Sequence, residues 1–169
     1  MGFIKKVCLL GDPAVGKTSL INRYVHNRFD DKYLATIGTK PSVKAMDLDG
    51  LKMDLTIWDI AGQENFQNVH NSYFRGAQGA IVVCDITRRE TIENLPHWVG
   101  RFLAASPGKP IIIVSNKWDL VDGGTDTKAE QMILEFSQHG GIEQMRSSAK
   151  DGSNVEAMFL RIALLMCPR

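Results

Sequence analysis

The chain has 169 residues, 44% apolar on a broad count and 23% charged, with a formal net charge of +1. Its length suits a single domain over residues 1–169 with a substantial core. The near-neutral charge gives no reason to expect nucleic acid as a partner, and no apolar stretch approaches the roughly 18 residues that a bilayer span needs.

The first predicted element is a strand over residues 3–10, a mostly apolar run that includes Ile4, Val7, Cys8, Leu9 and Leu10. It leads into Gly11-Asp12-Pro13-Ala14-Val15-Gly16-Lys17-Thr18, which fits G-x-x-x-x-G-K-[ST] at every fixed position. Glycines at those places let the backbone curl so that N–H groups point at phosphate oxygens. Lys17 can reach terminal phosphates, and the Thr18 hydroxyl can ligand the Mg²⁺ that accompanies them. A helix over residues 17–26 follows, with Ser19 in its first turn, and presents its positive end to the same anion. The stretch Asp12 to Ser19 is therefore the expected phosphate site.

Residues 30–40 read only as a polar loop. Two alternating runs over residues 42–48 and 51–58 flank Asp49-Gly50 and predict a hairpin. The second run ends in Trp58-Asp59-Ile60-Ala61-Gly62-Gln63-Glu64. A carboxylate just past an apolar strand can hold Mg²⁺ through water, which is the part expected of Asp59. Gly62 lets a backbone N–H approach a terminal phosphate, and the Gln63 amide can hold a water in line with it.

A helix is predicted at about residues 67–75, a strand at 79–85, a helix at 91–104 and a strand at 110–116. That last strand ends in Asn116-Lys117-Trp118-Asp119. A carboxylate such as Asp119 can accept from the N1–H and 2-amino group of guanine, whereas adenine would leave it unpaired. The stem of Lys117 can lie over the base plane. A helix over 126–139 and a strand over 142–146 precede Ser148-Ala149-Lys150, where the Ala149 N–H could meet the guanine oxygen. A final helix is predicted over 153–166.

Alternating strands and helices with one hairpin imply an α/β fold: a mainly parallel sheet with one antiparallel edge strand and helices on both faces. Ligands on such sheets bind beyond the carboxyl ends of the strands. The cysteines Cys8, Cys84 and Cys167 form no C-x-x-C pair and suit a reducing compartment. His26, His70, His97 and His139 lack metal-ligand spacing, so no zinc site is expected. Lys5 and Lys6 break any signal-peptide pattern, and Lys6 stands where a myristoylation signal wants Ser or Thr.

Over residues 3–166 the chain resembles a small GTPase of the Ras superfamily: GDPAVGKT, Thr36-Ile37-Gly38, WDIAGQE, NKWD and SAK occur in that family's order and spacing. Thr36-Ile37-Gly38, WDIAGQE and the stretch Ser72 to Gly79 are most similar to the Rab branch. The resemblance implies a three-layer P-loop NTPase (small G-protein) fold with a six-stranded sheet. It implies a Mg²⁺-dependent switch that binds GTP and GDP and hydrolyses GTP, in regulation or vesicle-traffic-type signalling. Phe29 would stack on the guanine and Tyr33 would cover the phosphates. Thr36 would give its hydroxyl to Mg²⁺ and its N–H to the γ-phosphate, and Gln63 would position the hydrolytic water. Lys17, Thr36, Gly62 and Gln63 would then be the catalytic set, with Thr18, Thr36 and Asp59 serving the metal. Activating, exchange and effector proteins would engage segments 30–40 and 61–75 of a monomer that is cytoplasmic or peripheral to membranes.

Three departures stand out. Pro13 replaces a small residue and removes one potential phosphate donor, which could slow hydrolysis. It is the one support in the sequence for the alternative, a guanine-nucleotide-binding scaffold with negligible hydrolysis. A P-loop ATPase or kinase is disfavoured by NKWD. Lys40-Pro41 replaces an acidic-then-aromatic pair, so that of the three rings Rab effectors commonly read, Trp58 and one of Tyr73 or Phe74 remain. Pro41 also marks the strand that follows it as an edge at this point. Finally, only two residues follow Cys167, so no prenylation box is evident. Either the chain is trimmed or it does without that anchor, as a prokaryotic, archaeal-type relative would.

Overall fold

A computed structural model describes residues 2–37, 39–62, 67–123 and 127–167. Six strands form one sheet in the order β2-β3-β1-β4-β5-β6. They are β1 (Phe3–Leu10), β2 (Thr39–Leu48), β3 (Leu51–Ile60), β4 (Gly79–Asp85), β5 (Ile111–Asn116) and β6 (Glu143–Arg146). Only the β2–β3 pair is antiparallel; the other neighbours run parallel. Among the described residues six α-helices accompany them: α1 (Lys17–His26), α2 (Gln67–Phe74), α3 (Arg89–Glu93), α4 (Leu95–Ala105), α5 (Thr127–Gly140) and α6 (Val155–Met166). The expected architecture is therefore present, with the antiparallel strand at the edge.

Strand alternation divides the core between the two faces of the sheet. Val7 and Leu9 of β1 join Leu20 and Tyr24 of α1 and Phe159 of α6. Cys8 and Leu10 point the other way, to Phe74, Trp98, Phe102 and Ile133 from α2, α4 and α5. β4 is buried along its whole length, as a central parallel strand covered on both faces must be. Burial pushes the Cys8 and Cys84 thiols up to about 12, so both act as small apolar side chains. Among the described residues no helix is long and apolar enough to cross a membrane.

Three elements differ from the expectation. The hairpin strand begins at Thr39 rather than residue 42 and carries Pro41 within it. Asp49 and Gly50 both have positive φ (53° and 90°), the two-residue turn that Asp-Gly favours. Such a turn makes Leu48–Leu51 a hydrogen-bonded pair, so alternation leaves Pro41–Trp58 a non-bonded one. The missing N–H of Pro41 thus faces the open edge, where a proline costs no ladder bond.

The helix expected over 91–104 is instead two, α3 and α4, joined at Asn94. Pro96, in the first turn of α4, has no N–H to bond back to Ile92, which favours a break there over one unbroken helix. A 3₁₀ turn at Trp118–Leu120, not foreseen, follows β5.

Candidate functional site

The carboxyl ends of β1, β3, β5 and β6 converge on a cavity of about 420 Å³. Pro13, Ala14, Gly16, Lys17, Thr18, Ser19, Phe29, Tyr33, Thr36, Gly62, Asn116, Lys117, Asp119, Ala149 and Lys150 all border it. Asp12, Val15, Asp59 and Ser148, also expected at the site, lie behind this wall and are buried. Gln63, Glu64 and Gly38 fall outside the described residues.

One end of the cavity is the loop between β1 and α1. Lys17 is buried, and its Nζ donates to the Gly11 and Asp12 carbonyls at 2.8 Å each. The next three carbonyls are each taken by a side chain from elsewhere in the fold. Arg88 Nη1 donates to Pro13 O (2.9 Å), Lys117 Nζ to Ala14 O (2.7 Å) and Asn116 Nδ2 to Val15 O (2.9 Å). Peptide planarity then turns the N–H groups of Ala14, Val15 and Gly16 the opposite way, as an anion cradle requires. Proline at 13 takes none of these three N–H groups away.

Gly16 (φ 102°) packs so closely that a Cβ would strike the Asn116 side-chain amide. A Cβ on Gly62 would fall 2.5 Å from Pro13 N and 2.6 Å from Gly11 O, so this segment rests directly on the phosphate loop.

Beside Lys17 lies a group of oxygen atoms. Thr18 Oγ1 donates to Asp59 Oδ2 at 2.5 Å, which leaves the Thr36 hydroxyl to donate to Thr18 across 2.7 Å. Asp59 is buried, and its other oxygen, Oδ1, has no hydrogen-bond partner among the described residues. Burial lowers the Lys17 ammonium to about 8 against the pull of Asp59 and Asp12. Burial raises Asp59 against its bond to Thr18 and the charge of Lys17. Both charged forms are therefore poorly solvated in the protein alone, and an anion on Lys17 with a cation on Asp59 would relieve them. Two hydroxyls and a carboxylate with a spare oxygen are hard donors of the kind Mg²⁺ takes.

At the far end, Asp119 Oδ1 accepts from Ser148 Oγ at 2.6 Å. Asn116 Oδ1 accepts from the Ala149 N–H and from Ser147 Oγ, both at 3.2 Å. The Ala149 N–H thus bonds Asn116, not open space. Lys117 Nζ also pairs with the buried Asp85 carboxylate at 2.8 Å, which stretches its stem along the cavity wall. Phe29 packs against the edge of the core, while Tyr33 is exposed at the rim.

Sequence reasoning missed the residues that hold the site from outside. Arg23 of α1 bonds the Ala149 and Lys150 carbonyls. Asn94 Nδ2 and Trp98 Nε1 clasp the Asp12 carboxylate at 2.7 and 2.8 Å, so the side chain of Asp12 faces α4 and not the cavity. Asp85 carries the signature already read at Asp59, a carboxylate ending an apolar strand; Arg88, Asn94 and Trp98 carry none. On the outer face Trp58 and Tyr73 lie 6.3 Å apart, whereas Phe74 is buried against Phe102. Tyr73 is thus the second surface ring.

Ala14 adopts a left-handed conformation (φ 63°) that glycine holds without strain. Ala14→Gly is expected to raise the unfolding free energy by about 1 kcal/mol. Urea denaturation of the two proteins checks this, and a loss of stability would contradict the strained assignment.

Comparison with known proteins agrees with this geometry. The profile of the Ras family matches residues 6–167. The chain is similar to Ras-related protein RABG3b of Arabidopsis thaliana, at 39% identity over 95% of this chain and 82% of that one. It is also similar to Ras-related protein Rab-19 of Xenopus laevis (37% identity, 95% and 76%). Ras-related protein Rab-1C of Dictyostelium discoideum is 38% identical over 94% and 78%. With a family-wide match, Rab-named relatives over most of their length and a phosphate loop facing an Asn-Lys-x-Asp turn, the chain belongs to the Ras family and is a Rab-like small GTPase, an enzyme that hydrolyses GTP.

Proposed function

We propose that the cavity takes GTP and GDP together with Mg²⁺, and that the protein is a timed switch read by effector, activating and exchange proteins. The observation that carries this reading is that one cavity joins Lys17 and Thr18 at one end to Asp119 at the other. The Ala14, Val15 and Gly16 N–H groups and Lys17 would hold the phosphates, and Thr18, Thr36 and Asp59 would hold the metal. Bound there, Mg²⁺ would neutralise phosphate charge. Asp119, fixed by Ser148, would accept from the guanine N1–H and 2-amino groups. Phe29 would lie on the base, and the Ala149 N–H would be shared between Asn116 and the guanine oxygen.

Thr36 and Gly62 would grip the γ-phosphate, ordering segments 30–40 and 61–75 until Gln63 directs water onto it. Partners would read the outer face, where Pro41 lies opposite Trp58 in the β2–β3 pair and Tyr73 stands beside that ring. That face presents two rings and a proline, so its effectors would differ from those that need three rings. The names of the relatives support a role in vesicle traffic. Among the described residues no arginine borders the cavity to serve as a finger in cis, so a slow unaided rate, on the order of 10⁻⁴ to 10⁻² s⁻¹, is the expected behaviour.

Asp119→Asn should weaken GDP binding by about a hundredfold, since a charged acceptor is lost at the base. Titration with a fluorescent GDP measures this, and unchanged affinity would remove Asp119 from base recognition. For Gln63→Leu, single-turnover phosphate release should fall at least about tenfold while GDP affinity holds. Equal rates in the two proteins would exclude Gln63 from the hydrolytic step.

A further inference from the structure

The end of the cavity assigned to the base is built from two loops on separate strands, residues 116–119 after β5 and 147–150 after β6. Their backbones are linked by Ser147 N–H to Ser115 O (2.8 Å) and Trp118 N–H to Ser147 O (3.2 Å). The first loop contains a strained residue, Lys117, in the left-handed conformation (φ 67°). A side chain is held there only when its surroundings over-determine it.

Those surroundings lie behind the loop. Trp118 borders a second cavity, of about 370 Å³, between α5 and β6, and not the first. Its indole N–H donates to Ser115 Oγ at 2.9 Å, tying the ring back to the end of β5. The Arg146 guanidinium lies 4.2 Å from the centre of the Trp118 ring, and Arg146 Nη2 pairs with Glu130 Oε1 of α5 at 2.7 Å. Arg146 ends β6, immediately before the Ser147–Lys150 loop, while Trp118 sits between Lys117 and Asp119. One stacked pair therefore bridges the two base-facing loops from the side away from the nucleotide. Arg146 is 60% exposed in its side chain, so its ion pair with Glu130 holds little by itself. Its effect is to orient the cation over the ring, so that the ion pair and the cation–π contact act together.

We propose that the Trp118–Arg146 stack, steadied by Glu130, is a positioning device that sets how long guanine nucleotide stays bound. The proposal rests on the reading of the first cavity as the guanine-nucleotide site. Neither side chain would touch the nucleotide. They would hold Asp119 and the Ser148–Ala149 turn at a fixed separation, so that base contacts form together. Loosening the stack would speed release of the base, while Asn116 and Lys117, the latter anchored independently by Asp85, would keep their bonds to the Val15 and Ala14 carbonyls and so hold the phosphate end in place.

The test is release of N-methylanthraniloyl-GDP into excess unlabelled GDP at fixed Mg²⁺, for the full chain and its variants. R146A and W118A should release about five- to tenfold faster than wild type. R146K, which keeps a cation over the ring, should stay within about twofold. Single-turnover hydrolysis at saturating GTP should be unchanged in R146A, a split that general loosening of the fold would not produce. Arg146 is mostly in solvent, so R146A reports even if W118A fails to fold. Unchanged release in R146A overturns the proposal, as does a parallel loss of hydrolysis, or R146K releasing as fast as R146A. Competition of ADP against GDP on the wild type separates the two levels. No preference for GDP removes the guanine reading itself, whereas a clear preference with unchanged release in R146A removes the stack alone.

Discussion

The site depends on how the carbonyls of one short loop are held. Pro13, Ala14 and Val15 each give their carbonyl oxygen to a side chain from a distant part of the chain, namely Arg88, Lys117 and Asn116. A planar peptide cannot turn its C=O one way without turning its N–H the other. The three bonds therefore fix an inward row of donors before any anion arrives, and preorganised donors need no rearrangement when charge develops near them. Lys117 and Asn116 also belong to the turn proposed to face the base. Through them the two ends of the cavity are one hydrogen-bonded unit, with Asp85 anchoring Lys117 from the end of β4.

That framework leaves two charges in a poor position. Lys17 and Asp59 are both buried, the one lowered and the other raised by loss of solvent. Asp59 further keeps an oxygen without a partner among the described residues. Buried ions are tolerated at such a cost where function needs them. A polyphosphate with a divalent cation would supply the opposite charge for each. α1 starts beside them, with Gly16 as its N-cap, so that its first N–H groups would be free to meet the same anion.

Much of this was legible in the chain itself. Strand–helix alternation and the Asp49-Gly50 turn are local signals, and the mainly parallel sheet with its antiparallel edge followed from them, whereas the strand order is set by long-range packing that no local pattern marks. The eight residues from Gly11 to Thr18 and the four from Asn116 to Asp119 are contiguous, so their chemistry could be read in place. The misses have a common cause. Pro41 hid the start of β2 because a missing N–H looks like a strand end until it is known to face outward. Pro96 hid the joint at Asn94 because the apolar spacing of α4 continues across it. Arg88, Asn94 and Trp98 reach the phosphate loop from more than seventy positions away, and no local pattern marks such a partner. Ala14 shows the reverse: its residue type argues against the conformation that the loop imposes on it.

These supports also limit where motion can occur. The phosphate loop is tied to β4, β5 and α4, whereas segment 30–37 is largely exposed and carries Leu34 and Ile37 in solvent. A switch in this protein would keep its cradle still and move the two segments that carry Thr36 and Gly62. Backbone hydrogen exchange, compared between the GDP-bound protein and the protein with a non-hydrolysable GTP analogue and Mg²⁺, tests this most directly. Slower exchange with the analogue, confined to residues 30–40 and 61–75, with residues 11–18 alike in both states, is the predicted result. Identical exchange in those two segments would contradict the account.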